Sequence, residues 1–184
     1  MPRLSRLFAG LLKMSNGIRQ NRGEWSEAYA FLKLISDRMV YAGDAELAPI
    51  AGREYPVVRI IHLADSDKDR RIAELARKNV NIILPDGQVC CNVPYEVFGR
   101  EAKALLYAIL AGGSTPAFEV PQTEKFFETL GIQKLKADGG KKSDITIVVH
   151  DQMTACDQPL EFSIKSFLGS PPTLLNASHS SNLI

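Results

Sequence analysis

The chain is short of cysteine, short of net charge and short of long apolar runs, and each shortage narrows what it can be. Three cysteines, two of them adjacent at Cys90 and Cys91, form neither an even disulfide framework nor a zinc-ligand spacing. That usage suits a reducing cytoplasm, with Cys90 and Cys91 expected in the core. Charge nearly cancels, 22 Lys and Arg against 21 Asp and Glu, for a net of +1. No global field therefore draws the chain to a polyanion, and any polyanion site must come from local clustering. No stretch approaches the length of a membrane-spanning helix, so no membrane association is expected. Internal repeats and low-complexity tracts are missing as well. His150 and His179 stand at no metal-ligand spacing and read as non-catalytic.

What is present is a globular composition. At 184 residues and 45% hydrophobic content the chain can bury one contiguous core. Residues 1 to 20 read as an N-terminal extension and 21 to 184 as one core domain. The opening "MPRLSRLFAGLLK" lacks a convincing cleavage site and reads as a short amphipathic helix, or as sequence upstream of a start at Met14, rather than as a signal peptide. The closing "PPTLLNASHSSNLI" stops on apolar residues with no polar tail. We expect a core that is incomplete at that end.

Hydrophobic periodicity places the elements. Residues 24 to 36, "EWSEAYAFLKLIS", carry Trp25, Ala28, Tyr29, Leu32 and Ile35 on one helical face, with Glu24 and Glu27 expected in the first turn, where the helix dipole favours acids. "MVYAG" and "YPVVRIIHLA" read as strands. A charged turn over 65 to 69 precedes "RRIAELARK", which reads as a short helix. "VNIILPDGQVCCNV" reads as two strands around a Pro-Asp-Gly turn. Residues 95 to 111 read as a second long helix and "PQTEKFFETLG" as a third, with Pro121 at its start and Gly131 as its stop. "DITIVVH" is a β-branched core strand, and "LEFSIKS" alternates with period two as its neighbour. Intermixed helices and strands give an α/β (α+β) class, a mixed central sheet flanked by helices.

One constellation carries chemistry. In "LEFSIKS", Leu160, Phe162 and Ile164 share one face while Glu161, Ser163 and Lys165 share the other. If "DITIVVH" pairs antiparallel with it, Asp144 begins one strand close to where Lys165 ends the next. A buried ammonium there needs anions brought to it. An acid at one strand start and an acid plus lysine near the next strand's end is what a magnesium-dependent phosphodiesterase requires, because Mg2+ takes one or two carboxylates, water and phosphate oxygens. Lysine beside the ion orients water or stabilises developing charge. The plainer alternative makes Asp144 a turn residue and Glu161 with Lys165 an exposed charge pair. For Glu24 and Glu27 the alternative is helix-start preference, with Glu27 near Lys33 or in solvent.

Three blocks, "NRGEWSEAYAFLKL", "DITIVVHD" and "EFSIKSFLGSPPTLLNAS", resemble the type II restriction endonucleases of the HpaII family over about residues 21 to 184, in order and strongest at the ends. That resemblance implies a PD-(D/E)xK nuclease core, a restriction-endonuclease-like fold, a Mg2+ requirement and cleavage of double-stranded DNA at CCGG. Carried over by position, Asp144 is the first acid and Lys165 the lysine. The chain departs from the general pattern at Ser163, where an acid is usual and where serine is a poor Mg2+ ligand. The second carboxylate must then be Glu161, or Glu24 or Glu27 from the first helix, neighbours on one helix face. Ser166, Thr173, Asn176 and Ser178 suit DNA contacts, as an alternative to an ordinary capped turn. Lys141 and Lys142, with Lys134 and Lys136, suit the phosphate backbone, as an alternative to a solvated loop. A palindromic site makes a homodimer on DNA reasonable. Two other functions compete: a non-enzymatic DNA- or partner-binding module that keeps the fold, and a different nuclease on the same core.

Overall fold

The computed structural model describes residues 18–46, 48–62, 71–112, 115–132 and 143–166. Among these residues three helices and seven strands follow in the order α1 (Arg22–Asp37), β1 (Met39–Gly43), β2 (Pro49–His62), β3 (Arg71–Leu75), β4 (Asn79–Ile83), β5 (Val89–Pro94), α2 (Tyr95–Ala111), α3 (Pro121–Thr129), β6 (Ile145–Asp151) and β7 (Cys156–Phe162). The strands form one sheet of order β5-β4-β3-β2-β6-β7, with β1 paired to the first half of β2. Every described pairing is antiparallel. The α+β class thus holds, and the expected mixed sheet is an antiparallel one.

A single apolar row explains the register. Ile82 pairs with Ala73, Ala73 with Ile60, and Ile60 with Ile147, and each of these side chains is buried. The row ends at Leu160 on β7, where the edge of the sheet meets solvent. Trp25, Ala28, Phe31, Leu32 and Ile35 of α1 join the same core, as do Phe98, Ala102, Leu105 and Ile109 of α2. Spacings of three and four residues put each set on one helical stripe. The two helices approach closely at Gly99, where a Cβ would lie 2.8 Å from Ser36 Oγ.

Three expectations are corrected. "RRIAELARK" contains the strand β3, not a helix. Its Ala, Glu, Leu and Arg are good helix formers, but propensity is a small bias, and the burial of Ala73 between Ile60 and Ile82 overrides it. The strand expected over 160 to 166 lies earlier, at Cys156–Phe162, and it is an exposed edge rather than a buried strand. On the other edge strand, β5, Cys90 is exposed and not part of the core, whereas half-buried Cys91 packs against it. The Cys91 thiol is pushed up to about 11, chiefly by its partial burial.

Candidate active site

Helix α1 starts with a capping box. Asn21 Oδ1 accepts from the Glu24 backbone N–H at 3.0 Å, and Glu24 Oε2 accepts from the Asn21 backbone N–H at 2.9 Å. This reciprocal bonding satisfies two orphan donors of the first turn. Glu24 is the first-turn acid, whereas Glu27 falls in the second turn. Lys33 does not serve Glu27. Its ammonium lies 2.6 Å from Asp37 one turn further on, and that bond raises its pKa. Trp25 fixes the helix start by donating its indole N–H to the Phe118 carbonyl at 3.1 Å.

The other half of the site lies where β6 begins and β7 ends. The Asp144 backbone N–H donates to the Phe162 carbonyl at 2.9 Å, extending the β6–β7 ladder by one step. Its carboxylate turns back on the chain that leaves β7. Oδ2 accepts from the Ile164 backbone N–H at 2.6 Å and from the Ser163 hydroxyl at 3.2 Å. Oδ1 has no hydrogen-bond partner among the described residues. Glu161 sits opposite Thr146, two places from Asp144 on that strand and on the same sheet face. Lys165 follows Ile164 directly, beyond the end of β7, and is exposed rather than buried.

Sequence reasoning missed Ser26. Its hydroxyl lies 2.8 Å from the Arg22 carbonyl and 3.0 Å from Ser166 Oγ, joining α1 to the segment that carries Lys165. The contact brings Glu27, the residue after Ser26, onto the element that touches the Lys165 segment. Nothing in "GEWSE" beyond the small hydroxyl between two acids could have signalled it.

Ser163 is also better understood. Standing where the resemblance leads us to expect an acid, it donates to Asp144, whereas a carboxylate there would repel Asp144 unless a cation lay between them. No ion pair joins Glu161 to Lys165 among the described residues. Lys134, Lys136, Lys141, Lys142, Thr173, Asn176, Ser178 and His179 lie outside the described residues. His150 faces Asp157 across the β6–β7 ladder, Nδ1 to Oδ1 2.9 Å, away from Asp144 at the far end of the strand.

Among the described residues no group of three or more His, Cys, Asp or Glu side chains stands ready to hold a metal ion. The donor set still suits a hard cation that takes only one or two carboxylates and fills its other positions with water and phosphate oxygens. Asp144 Oδ1 is the carboxylate oxygen left for it, with Glu161 on the same sheet face. No helix of the described residues is long and apolar enough to cross a membrane.

Comparisons with known proteins identify the family. No solved structure matches the chain. A type II restriction enzyme, HpaII of Haemophilus parainfluenzae, is 41% identical over 162 residues, which cover 88% of this chain and 44% of that protein. The chain therefore spans less than half the length of the relative it matches. The family model described as HpaII restriction endonuclease matches residues 21–184, both halves of the site included, and the chain belongs to the HpaII restriction endonuclease family.

Proposed function

We propose that the chain forms the catalytic core of a type II restriction endonuclease that hydrolyses both strands of duplex DNA at CCGG with Mg2+. The observation that carries the reading is the Asp144 carboxylate, anchored through Oδ2 to the backbone one residue before Lys165. A metal-ligating acid and a charge-stabilising lysine are thereby tied to one stretch of chain. Membership of the family supports the chemistry.

Each residue has a part in this reading. Asp144 would hold the ion through Oδ1, with Glu161 or Glu27 as second carboxylate; Glu24 is the weaker candidate because its carboxylate closes the capping box. Held by these carboxylates, Mg2+ would supply a more acidic water and neutralise charge that develops on the phosphate. The Lys165 ammonium, exposed and able to rotate its three donors, orients the attacking water and stabilises the same charge. The Ser163 hydroxyl keeps the Asp144 carboxylate turned toward Lys165's stretch of chain. Ser166, Thr173, Asn176 and Ser178 would contact DNA, with Lys141 and Lys142 on its backbone. A palindromic target cut in both strands favours two copies related by symmetry on the DNA. Such an enzyme would work in the cytoplasm.

A cleavage assay with the full-length protein tests the reading on duplexes with methylated, unmethylated or scrambled CCGG. Cutting should require Mg2+ and the intact site, and Lys165→Ala should slow it by on the order of a hundredfold or more. Cutting that persists in excess EDTA, or that Lys165→Ala leaves unchanged, would sink the mechanism. DNA binding without cutting under any divalent cation would favour the non-enzymatic module.

A further inference from the structure

A second polar site lies at the opposite end of α1. The carbonyl of Arg38, just past the helix end, accepts from the Val57 backbone N–H, and Val57 pairs with Val149, whereas Asp144 begins the other end of β6. Ser26 and Arg38 are twelve positions apart, which on α-helical geometry is about 18 Å. At that far end a cleft of about 600 Å³ opens between Arg38, the β3–β4 turn and the start of α2. Arg38, Arg77 and Lys78 line it together with Ser36, Asn79 and Tyr95, and Glu96 is its one carboxylate among the described residues. None of the three cations forms an ion pair among the described residues. Two positive charges in excess therefore gather in one concavity of a chain whose total is +1.

The backbone adds an independent sign. Arg38 has φ 59°, in the left-handed region where a helix end normally takes glycine or asparagine. A long β-carbon-bearing side chain is disfavoured there, and its presence is consistent with a task for that side chain. The backbone N–H of Arg38 closes α1 on the Leu34 carbonyl, and its guanidinium lies over the Tyr95 ring, 4.7 Å from the centroid. Tyr95 is itself fixed, its hydroxyl donating to the Ala76 carbonyl. The guanidinium is thus positioned before any ligand arrives. Tyr95 and Glu96 are also the first two residues of α2, whose N-cap, Pro94, offers no side-chain bond to the first turn. Backbone donors of that turn add to the same positive end.

We propose that this cleft binds a nucleotide-sized phosphate ligand, its phosphoryl oxygens held by Arg38, Arg77 and Lys78. Planar guanidinium forks match phosphate oxygens in pairs, and a lysine adds a point charge. The volume exceeds what a bare phosphate fills and falls within the usual range of small-ligand sites. The ligand is a free nucleotide; a nucleotide within a strand would belong to the DNA substrate already proposed. The site stands apart from the proposed cleavage centre and does not depend on it.

Titration calorimetry of the chain with inorganic phosphate, deoxycytidine 5′-monophosphate and a short single-stranded oligonucleotide is the test. We expect saturable binding of the mononucleotide, weakened at least about tenfold by Arg77→Gln with Lys78→Gln. Arg38→Gly should weaken it similarly while leaving the fold intact, since glycine suits the left-handed position. Tighter binding of the oligonucleotide than of the mononucleotide, with the same sensitivity to the variants, would make the cleft part of the DNA surface already proposed and overturn the reading; the reverse order supports it. The proposal is overturned by the absence of saturable binding to all three probes, or by variants that bind as the unaltered chain does.

Discussion

Strands β6 and β7 have seven residues each and are bonded along their whole length, yet their surroundings differ at almost every position. β6 lies between β2 and β7 and buries Ile145, Thr146, Ile147 and Val149. β7 has no strand beyond it in the described sheet and is exposed everywhere except at half-buried Phe162. Place in the sheet, not intrinsic strand preference, sets how much each residue contributes to stability. The same division runs through the candidate site. Asp144, at the head of the central strand, is held by the Ile164 N–H, the Ser163 hydroxyl and the Phe162 carbonyl, whereas Glu161 and Lys165 belong to the exposed edge and its extension.

Matched truncations on the two strands should give the largest difference. Ile147→Ala removes a side chain buried from both neighbours and should cost about 2–5 kcal/mol of unfolding free energy. Leu160→Ala, at its paired position on the edge, should stay within about 1 kcal/mol. Urea unfolding of the two variants measures the gap. Equal losses would mean that β7 is covered as fully as β6 and would erase the contrast.

A smaller effect separates the anchoring of Asp144 from its chemistry. Asp144→Ala leaves the part-buried Ile164 N–H without its acceptor, a loss of about 1–3 kcal/mol. Asp144→Asn keeps a carbonyl oxygen for that bond and should cost distinctly less. Both variants remove the carboxylate and should abolish metal-dependent cleavage in the full-length protein. Thermal unfolding beside the cleavage assay checks the pair, and an Asp144→Asn protein that still cuts would remove Asp144 from the site.

The comparison also explains what the sequence revealed. β6 was legible because Ile145, Thr146, Ile147, Val148 and Val149 form a β-branched run that a buried strand needs. The register that sets Glu161 across from Thr146 follows from the two strands being adjacent in a hairpin. β7 was misplaced because "LEFSIKS" alternates beyond the strand's end: Ile164 packs against the core, as Phe162 does, after the ladder has stopped. Periodicity records burial, and here burial outlasts pairing. β3 was misread for the converse reason, since Ala73 is its one buried residue and five residues of Arg, Ile, Ala, Glu and Leu give no strong strand signal. The Ser26–Ser166 contact was illegible because it joins positions 140 residues apart through two common side chains. Arg38 was illegible because its left-handed backbone has no marker in an arginine.

The smallest expected effect lies at the tip of the same hairpin. Asp151 ends β6 and organises the turn into β7: Oδ1 accepts from the Met153 backbone N–H and Oδ2 from the Thr154 hydroxyl, both at 2.9 Å. The Met153 bond, then the Thr154 hydroxyl, hold its pKa below the ordinary value of 3.8. An acid whose folded pKa is depressed stabilises the fold fully above its unfolded value and loses that contribution as pH falls through the folded one. Acidification to below 3.8 should therefore loosen the turn, seen as faster amide exchange at Met153 and Thr154, while the β6 amides paired with β2 stay protected. Asp151→Asn should remove the pH dependence without moving the unfolding midpoint appreciably, because the carboxylate is exposed and solvent screens it. If the β6 amides lost protection at the same pH as the turn, the edge and the centre would open as one unit, and the division between the two strands would be one of burial alone.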